Sequence, residues 1–575
     1  MSATPIGGPR PRPAVSALLF LSVLVAGCER GAPAPRTELP STEKVARADR
    51  GMLSTASPLA TAAGVRMFEA GGNAADAAVA ASFALAVVEP SMSSLGGRMQ
   101  VLAHDVDGTL RAIDATTQAP LAYDSDNAPE ASYGYATIGI PGMVAGALEV
   151  HESWGALPLA QVMAPAIEYA RRGFVLDEEV GGHIRSTAER LAESEGALAY
   201  FFKEDGTPYG PGDRLVQEDL ARTLERIAAE GRSVFYEGAI AEQIVDDMEA
   251  HGGFVTLADL AQYRAVDSRV LRGSYRGYGL AGSDVPAGGG TVIEILHILE
   301  NLDVPALDEE AWMAVVGQAL VLGFEDYYGG VQLEEERADV LTSKEWAARR
   351  ARAIRLPTSA AVTAGGLGLA LPAGIPDFWS EHRHTTHLTA ADADGRVIAL
   401  TQSLGPAMGA KVAAPGLGFL YAATLGGYLG PIARGQRAGS AISPFLILQD
   451  ERPRWALGAA GGLRIIAGVT EVASRLIDRG QSLPDAVAGA RFFPNMSRSG
   501  PGPWELETSP VASWEASSAL ALLQALEIDA ERNPNATSFS RVHAVGIEPD
   551  GTLWGVADPR WGGAAAGVMN EGGRP

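Results

Sequence analysis

Cysteine is almost absent from this chain: Cys28 stands alone among 575 residues. That excludes an intrachain disulfide and a cysteine metal cluster. Basic side chains are also in short supply, 45 against 69 acidic ones, and the net charge of −24 argues against nucleic acid as a partner. Charged residues make up only 20% while hydrophobic residues reach 47%, so most of the chain is globular rather than disordered. The apolar run Ala14–Gly27 is too short to span a bilayer. No Gly-x-Ser-x-Gly elbow and no obvious Ser/His/Asp constellation stands out.

The position of the single cysteine is informative. Arg10 and Arg12 precede the apolar run, which ends Leu24-Val25-Ala26-Gly27-Cys28. Small residues directly before a cysteine resemble the bacterial lipoprotein signal, in which that cysteine is acylated and becomes the mature N-terminus. The expectation is a signal peptide over 1–28, lipid attachment at Cys28, and a flexible tether over 29–47, rich in Pro, Ala and charge. Glu29, rather than aspartate, follows the cysteine, which favours the periplasmic face of the outer membrane; a periplasmic or secreted protein is the other outcome. The lipid is the only membrane contact expected.

The organising stretch is Thr385–Ser403. Two β-branched-rich runs flank Asp394-Gly395, a pair suited to the positive φ angles of a tight turn, so the stretch predicts a β-hairpin. Counting outward brings Ser403 opposite Thr385 or Thr386. Alternation puts Thr401 and Ser403 on one face, and hydroxyls collect there. Upstream, periodicity predicts a helix over 57–70, ended by Gly71-Gly72, and a second from Asn73 to Val88 that is apolar all round and therefore buried. A strand pair around 101–104 and 110–113 follows. Helices are expected near 142–153, 160–172 and 214–230, and another after Pro286-Ala287-Gly288-Gly289-Gly290. The charge-poor stretch 356–375 reads as an exposed segment suited to processing.

Strands are predicted at 443–448, 455–457, 541–547 and 552–556. The glycine loop 458–462 runs into a helix. It lacks the phosphate-loop and dinucleotide spacings, leaving either a tight turn or backbone N–H groups at Gly461 and Gly462 that converge on an anionic oxygen. His382, His384 and His387 do not add up to a metal site, because 382 and 384 share a strand face that 387 does not. No metal or cofactor is expected.

In order along the chain, Gly71-Gly72-Asn73-Ala74-Ala75-Asp76, Ile140-Pro141-Gly142, Ala164-Pro165-Ala166-Ile167, Tyr275-Arg276-Gly277-Tyr278, Thr385-Thr386-His387, Ser443-Pro444, Gly461-Gly462 with Arg464, and Asp558-Pro559-Arg560 resemble the γ-glutamyltransferase family from about residue 48 onward. The resemblance implies an N-terminal-nucleophile hydrolase: an α+β, four-layer αββα sandwich, one composite domain made from two self-cleaved segments. It implies a cut between His384 and Thr385, giving a large segment 48–384 and a small segment 385–575 of 191 residues, which stay associated. By the same resemblance Thr385 is the nucleophile, its freed α-amine the base, and Gly461 and Gly462 the oxyanion hole. Ser403 replaces a threonine that bonds the nucleophile.

The departures from the family pattern concern the substrate. The arginine that grips the α-carboxylate, two residues after an aspartate, is here Thr116, after Asp114. The run whose acid binds the α-amine corresponds to Ala422-Ala423-Thr424-Leu425-Gly426-Gly427. The asparagine two positions beyond Ser403 is Gly405, and of two paired serines only Ser440 remains. Each charged hydrogen bond lost is worth about 1.5–3 kcal/mol. The expected activity is therefore a self-processing amidase, hydrolase or acyltransferase, glutathione-hydrolase-like or cephalosporin-acylase-like. It works through an acyl-threonine on a small amide or peptide, with altered rather than standard γ-glutamyl specificity. Thr116, Thr401, Thr424 and Ser440 are the candidate substrate-binding residues, with Arg98 or Arg111 as a replacement arginine. The alternative is a catalytically degenerate, lipid-anchored binding or scaffold protein of the same fold.

Overall fold

The computed structural model describes residues 42–569 apart from 129, 285–286, 329–334, 358–383, 428–431 and 498–499. Cys28 and the leader, the tether up to residue 41, residues 358–375 of the charge-poor stretch, Pro286 and His382 lie outside the described residues.

Among the described residues, fourteen strands make two antiparallel seven-stranded sheets. In chain order they are β1 (Val45–Ala48), β2 (Gly51–Thr55), β3 (Arg98–His104), β4 (Leu110–Ala115), β5 (Val266–Ser268), β6 (Val270–Tyr275) and β7 (Tyr278–Ser283), then β8 (Thr386–Asp392), β9 (Val397–Ser403), β10 (Phe445–Gln449), β11 (Arg452–Ala460), β12 (Arg541–Ile547), β13 (Leu553–Ala557) and β14 (Ala564–Val568). One sheet runs β14-β2-β8-β9-β3-β4-β5 and the other β1-β13-β12-β11-β10-β7-β6.

Strand alternation explains the layering. In the β8–β9 hairpin, Leu388, Ala390, Ile398 and Leu400 pack with helices α1 (Pro58–Glu69) and α2 (Ala74–Val88). Ala391, Val397 and Ala399 point the other way and meet Leu446, Leu448, Ala456 and Val545 of the second sheet. That sheet buries Phe445, Ile447, Leu457 and Ala544 under the helices Gly289–Glu300, Glu309–Tyr328 and Arg464–Ile477. The order is helix, sheet, sheet, helix, the αββα sandwich.

α2 is fully buried and starts with a reciprocal capping box between Asn73 and Asp76. The Ala74 N–H donates to Asp392 Oδ2 at 2.9 Å, placing a carboxylate at the helix N-terminus and tying α2 to the β8–β9 hairpin. Further on the same side lie α3 (Met143–Trp154), α4 (Leu159–Arg172) and the short α5 (Glu178–Ser186).

Two boundaries shift from expectation. The tether ends before residue 47, because β1 pairs with β13 and the Glu43 N–H donates to Ala565 O. The glycine loop is shorter than 458–462: Gly458 to Ala460 are the end of β11, and only Gly461 onward leaves the sheet.

Candidate active site

The hairpin register pairs Thr386 with Gln402, so Thr385, just before β8, stands across from Ser403 at the end of β9. Their hydroxyl oxygens are 2.9 Å apart. The Gly405 N–H donates to Ser403 Oγ at 3.0 Å, occupying a lone pair and leaving the Ser403 proton available to Thr385. Gly405 has φ 89°, which glycine adopts without a Cβ penalty. Thr385 itself has φ 125°, a region that a β-branched residue occupies only at a cost of about 1–3 kcal/mol. That strain sits on the residue directly after the His384–Thr385 peptide bond.

A buried charge cluster holds the backbone at this point. Arg541 Nη2 donates to Thr385 O at 2.8 Å, and Nη1 reaches Glu89 Oε1 at 3.3 Å and Glu179 Oε2 at 3.4 Å. The guanidinium lies over the Trp561 ring. Burial raises both carboxyls, Glu179 to about 8, with Arg541 opposing; Glu89 and Asp177 add to the rise at Glu179, and Asp177 to that at Glu89. Sequence reading identifies Glu89 only as a helix stop and Arg541 only as the start of a strand. Nothing local marks them as partners, for they are 452 residues apart.

The glycine pair lies at the same end of the inter-sheet space. Ala460, the last residue of β11, pairs with Arg541, and the chain then turns through Gly461 (φ 132°) and Gly462 (φ 60°) into the helix Arg464–Ile477. Successive positive φ values are open to glycine, and the helix N-terminus behind them favours negative charge.

His387 belongs to the packing rather than to this site. It is fully buried with Nδ1 2.7 Å from Thr401 Oγ1 and Nε2 2.9 Å from Thr389 Oγ1, and burial lowers it to about 3, so it is neutral. Gly458 makes room for it, since a Cβ there would lie 2.1 Å from His387 Cε1.

The other candidates divide. Arg98 is the direct β3 neighbour of Ser403, so Thr385, Ser403 and Arg98 form a row across three strands on one face. Arg98 is buried and donates to Gly439 O at 3.0 Å, beside Ser440. Ser440 is buried and its hydroxyl accepts the Ile442 N–H. Thr116 is buried, its hydroxyl donating to Ala438 O on the same stretch of chain. Thr424 is buried with a hydroxyl that meets no partner among the described residues. Thr401 is buried between the sheets, with its hydroxyl 2.7 Å from His387 Nδ1. Arg111 is excluded: it pairs with Glu149 and Asp267 at the surface, over Trp154.

Residues 60–568 match the family model for gamma-glutamyltranspeptidase. The chain belongs to that family. It is 31% identical over 585 residues to the glutathione hydrolase proenzyme of Escherichia coli strain K12, covering 96% of this chain and 97% of that one. It is 34% identical to the acylase ACY 1 proenzyme of Pseudomonas sp. strain SE83, covering 91% and 95%. The crystal structure of a cephalosporin acylase from Bacillus halodurans superposes with a TM-score of 0.81 over 94% of this chain and 99% of that one, at 24% identity, a likeness of fold. The chain is thus an enzyme of the gamma-glutamyltranspeptidase family, with glutathione hydrolase and acylase proenzymes among its relatives.

Proposed function

We propose that Thr385 is both the site of self-cleavage and the nucleophile of the mature enzyme. The observation that carries this is the 2.9 Å contact between the hydroxyls of Thr385 and Ser403 at a strained backbone position. The Thr385 hydroxyl attacks the His384 carbonyl, an ester replaces the peptide bond, and water hydrolyses it to leave one fragment that ends at His384 and a second that runs 385–575. The freed α-amine, with a pKa of about 8, then takes the hydroxyl proton when an amide substrate is attacked. An acyl-threonine forms and passes its acyl group to water or an amine. Gly461 and Gly462 N–H groups stabilise the oxyanion.

The substrate reading follows from what the pocket keeps. Thr116 stands in place of the clamp arginine and Thr424 in the segment that carries the family's acid, so neither position offers a charge to an α-amino acid, and Arg98 supplies a cation on the nucleophile's face. Adjacent strands are about 4.8 Å apart, so Arg98 and Thr385 are separated by roughly 10 Å at Cα. That spacing suits a short dicarboxylic acyl group such as glutaryl, attacked at one end and held by Arg98 at the other. The non-catalytic scaffold alternative is not favoured, since the relatives are enzymes. Export with a lipid on Cys28 completes the proposal and rests on the leader alone.

Incubation with a reactive glutaryl ester tests the chemistry. The expected result is one acyl adduct on the segment that begins at Thr385. Adduct-free protein, or modification elsewhere, contradicts it.

A further inference from the structure

We propose that Arg541, held by Glu89 and Glu179, is a positioning residue for both self-cleavage and turnover, fixing the Thr385 carbonyl so that hydroxyl and amine keep their attacking geometry. The inference rests on Thr385 being the nucleophile and assigns a task to a cluster that the reaction above leaves unused.

Three observations converge. First, the guanidinium donates to the carbonyl of the nucleophile residue itself, at 2.8 Å, and Thr385 has the largest positive φ among the non-glycine residues described. A carbonyl tethered on one side and a hydroxyl tethered to Ser403 on the other leave the Thr385 backbone little freedom to relax. Second, the arginine is anchored by elements from distant parts of the chain. Glu89 caps the end of α2 and Glu179 lies on α5, while Trp561 covers the guanidinium plane. Third, α5 touches the junction on its other side as well. His183, one turn after Glu179 and so on the same face, packs edge-on against His384 with ring centroids 5.3 Å apart. One short helix therefore meets both residues of the scissile bond, His384 by ring contact and Thr385 through Arg541.

Burying two carboxyls beside one arginine is expensive unless the arrangement is needed, and burial does raise both of them. Arg541 keeps its charge despite burial because Glu179, Glu89 and Asp177 surround it. Cleavage does not dismantle the cluster: the bond that breaks is on the amino side of Thr385, and the tethered carbonyl is on the other. The same hydrogen bond then fixes the direction of the new α-amine relative to the hydroxyl whose proton it takes.

The test uses the full chain. Arg541→Gln combined with Glu179→Gln removes the donor and one carboxyl together, so that the net charge of the Arg541–Glu89–Glu179 trio stays that of the parent. The expected result is a cooperative melt close to the parent's, self-cleavage slowed at least tenfold by intact mass, and, in whatever matures, a lower kcat with KM changed less than threefold. Cleavage and kcat within twofold of the parent overturn the inference. If the double variant loses its melt, Arg541→Lys, which keeps the charge but not the forked geometry, is measured instead: a tenfold loss in the same two rates supports the inference, and rates within twofold of the parent overturn it. A parent that never cleaves removes the nucleophile assignment, and this inference with it. A parent that cleaves alongside an equally fast variant removes this inference alone.

Discussion

Replacing Ser403 by alanine separates stability from the chemistry proposed for Thr385. Two hydrogen bonds end on Ser403 Oγ: the 2.9 Å contact with Thr385 and the 3.0 Å bond from the Gly405 N–H. Losing the second strands a buried donor, which costs about 1–3 kcal/mol of stability. Losing the first frees the Thr385 rotamer and removes the hydroxyl that steadies it during attack. A hydrogen bond of about 1–1.5 kcal/mol, with roughly the same again for the lost orientation, lowers the rate about 30- to 150-fold. The assay is the first-order conversion of freshly purified precursor to two segments, followed by intact mass, beside urea unfolding in a Thr385→Ala background, where a single uncut chain is expected. Ser403→Thr restores the hydroxyl and is expected to restore cleavage to within about fivefold. A Ser403→Ala precursor that cleaves within twofold of the parent refutes the reasoning, whatever its stability.

Gly458→Ala drives a Cβ to 2.1 Å from the His387 ring between the sheets, and a loss of about 1–3 kcal/mol is expected in the same uncleaved background, read as a lower urea midpoint. His387 is depressed to about 3 by burial, so the folded state stays neutral while the unfolded state gains a proton below about pH 6.5; its contribution is present above that pH and is lost as pH falls towards 3. His387→Gln is accordingly expected to flatten the fall in melting temperature between pH 7.5 and 4.5 relative to the parent. Arg98→Ala removes the cation assigned to the acyl carboxylate and lowers kcat/KM on a glutaryl amide about 10- to 150-fold, mostly through KM. Arg111→Ala, at the surface with Glu149 and Asp267, leaves the same kinetics within twofold.

The parts of this fold that are legible in the sequence are those written in adjacent residues. Asp394-Gly395 fixes the hairpin turn, where Gly395 has φ 92° and the Asp392 carboxylate collects the Asp394 and Arg396 N–H groups, and period two then sets Thr385 against Ser403. Asn73 and Asp76 announce the start of α2 in the same local way. The edge strands β1 and β14 carry no such signal. β14 reads Ala-Ala-Ala-Gly-Val, without alternation, and is a strand because β2 pairs with it. Substrate contacts are harder to read, because the chemical type of a residue does not reveal what else claims its hydroxyl: Thr401 has the right face but is bonded to His387. The Arg541 cluster is illegible for a related reason. Its members come from α2, α5 and β12, and only the stacking of the two sheets brings them to the Thr385 carbonyl.

Self-cleavage at Thr385 is tested most directly by intact mass and denaturing electrophoresis of the purified protein beside its Thr385→Ala variant. The expected result is two fragments from the parent, the smaller with Thr385 as its first residue and ending at Pro575, and a single uncut chain from the variant. A parent that remains one chain on long incubation, or a variant that cleaves at the same bond, contradicts it.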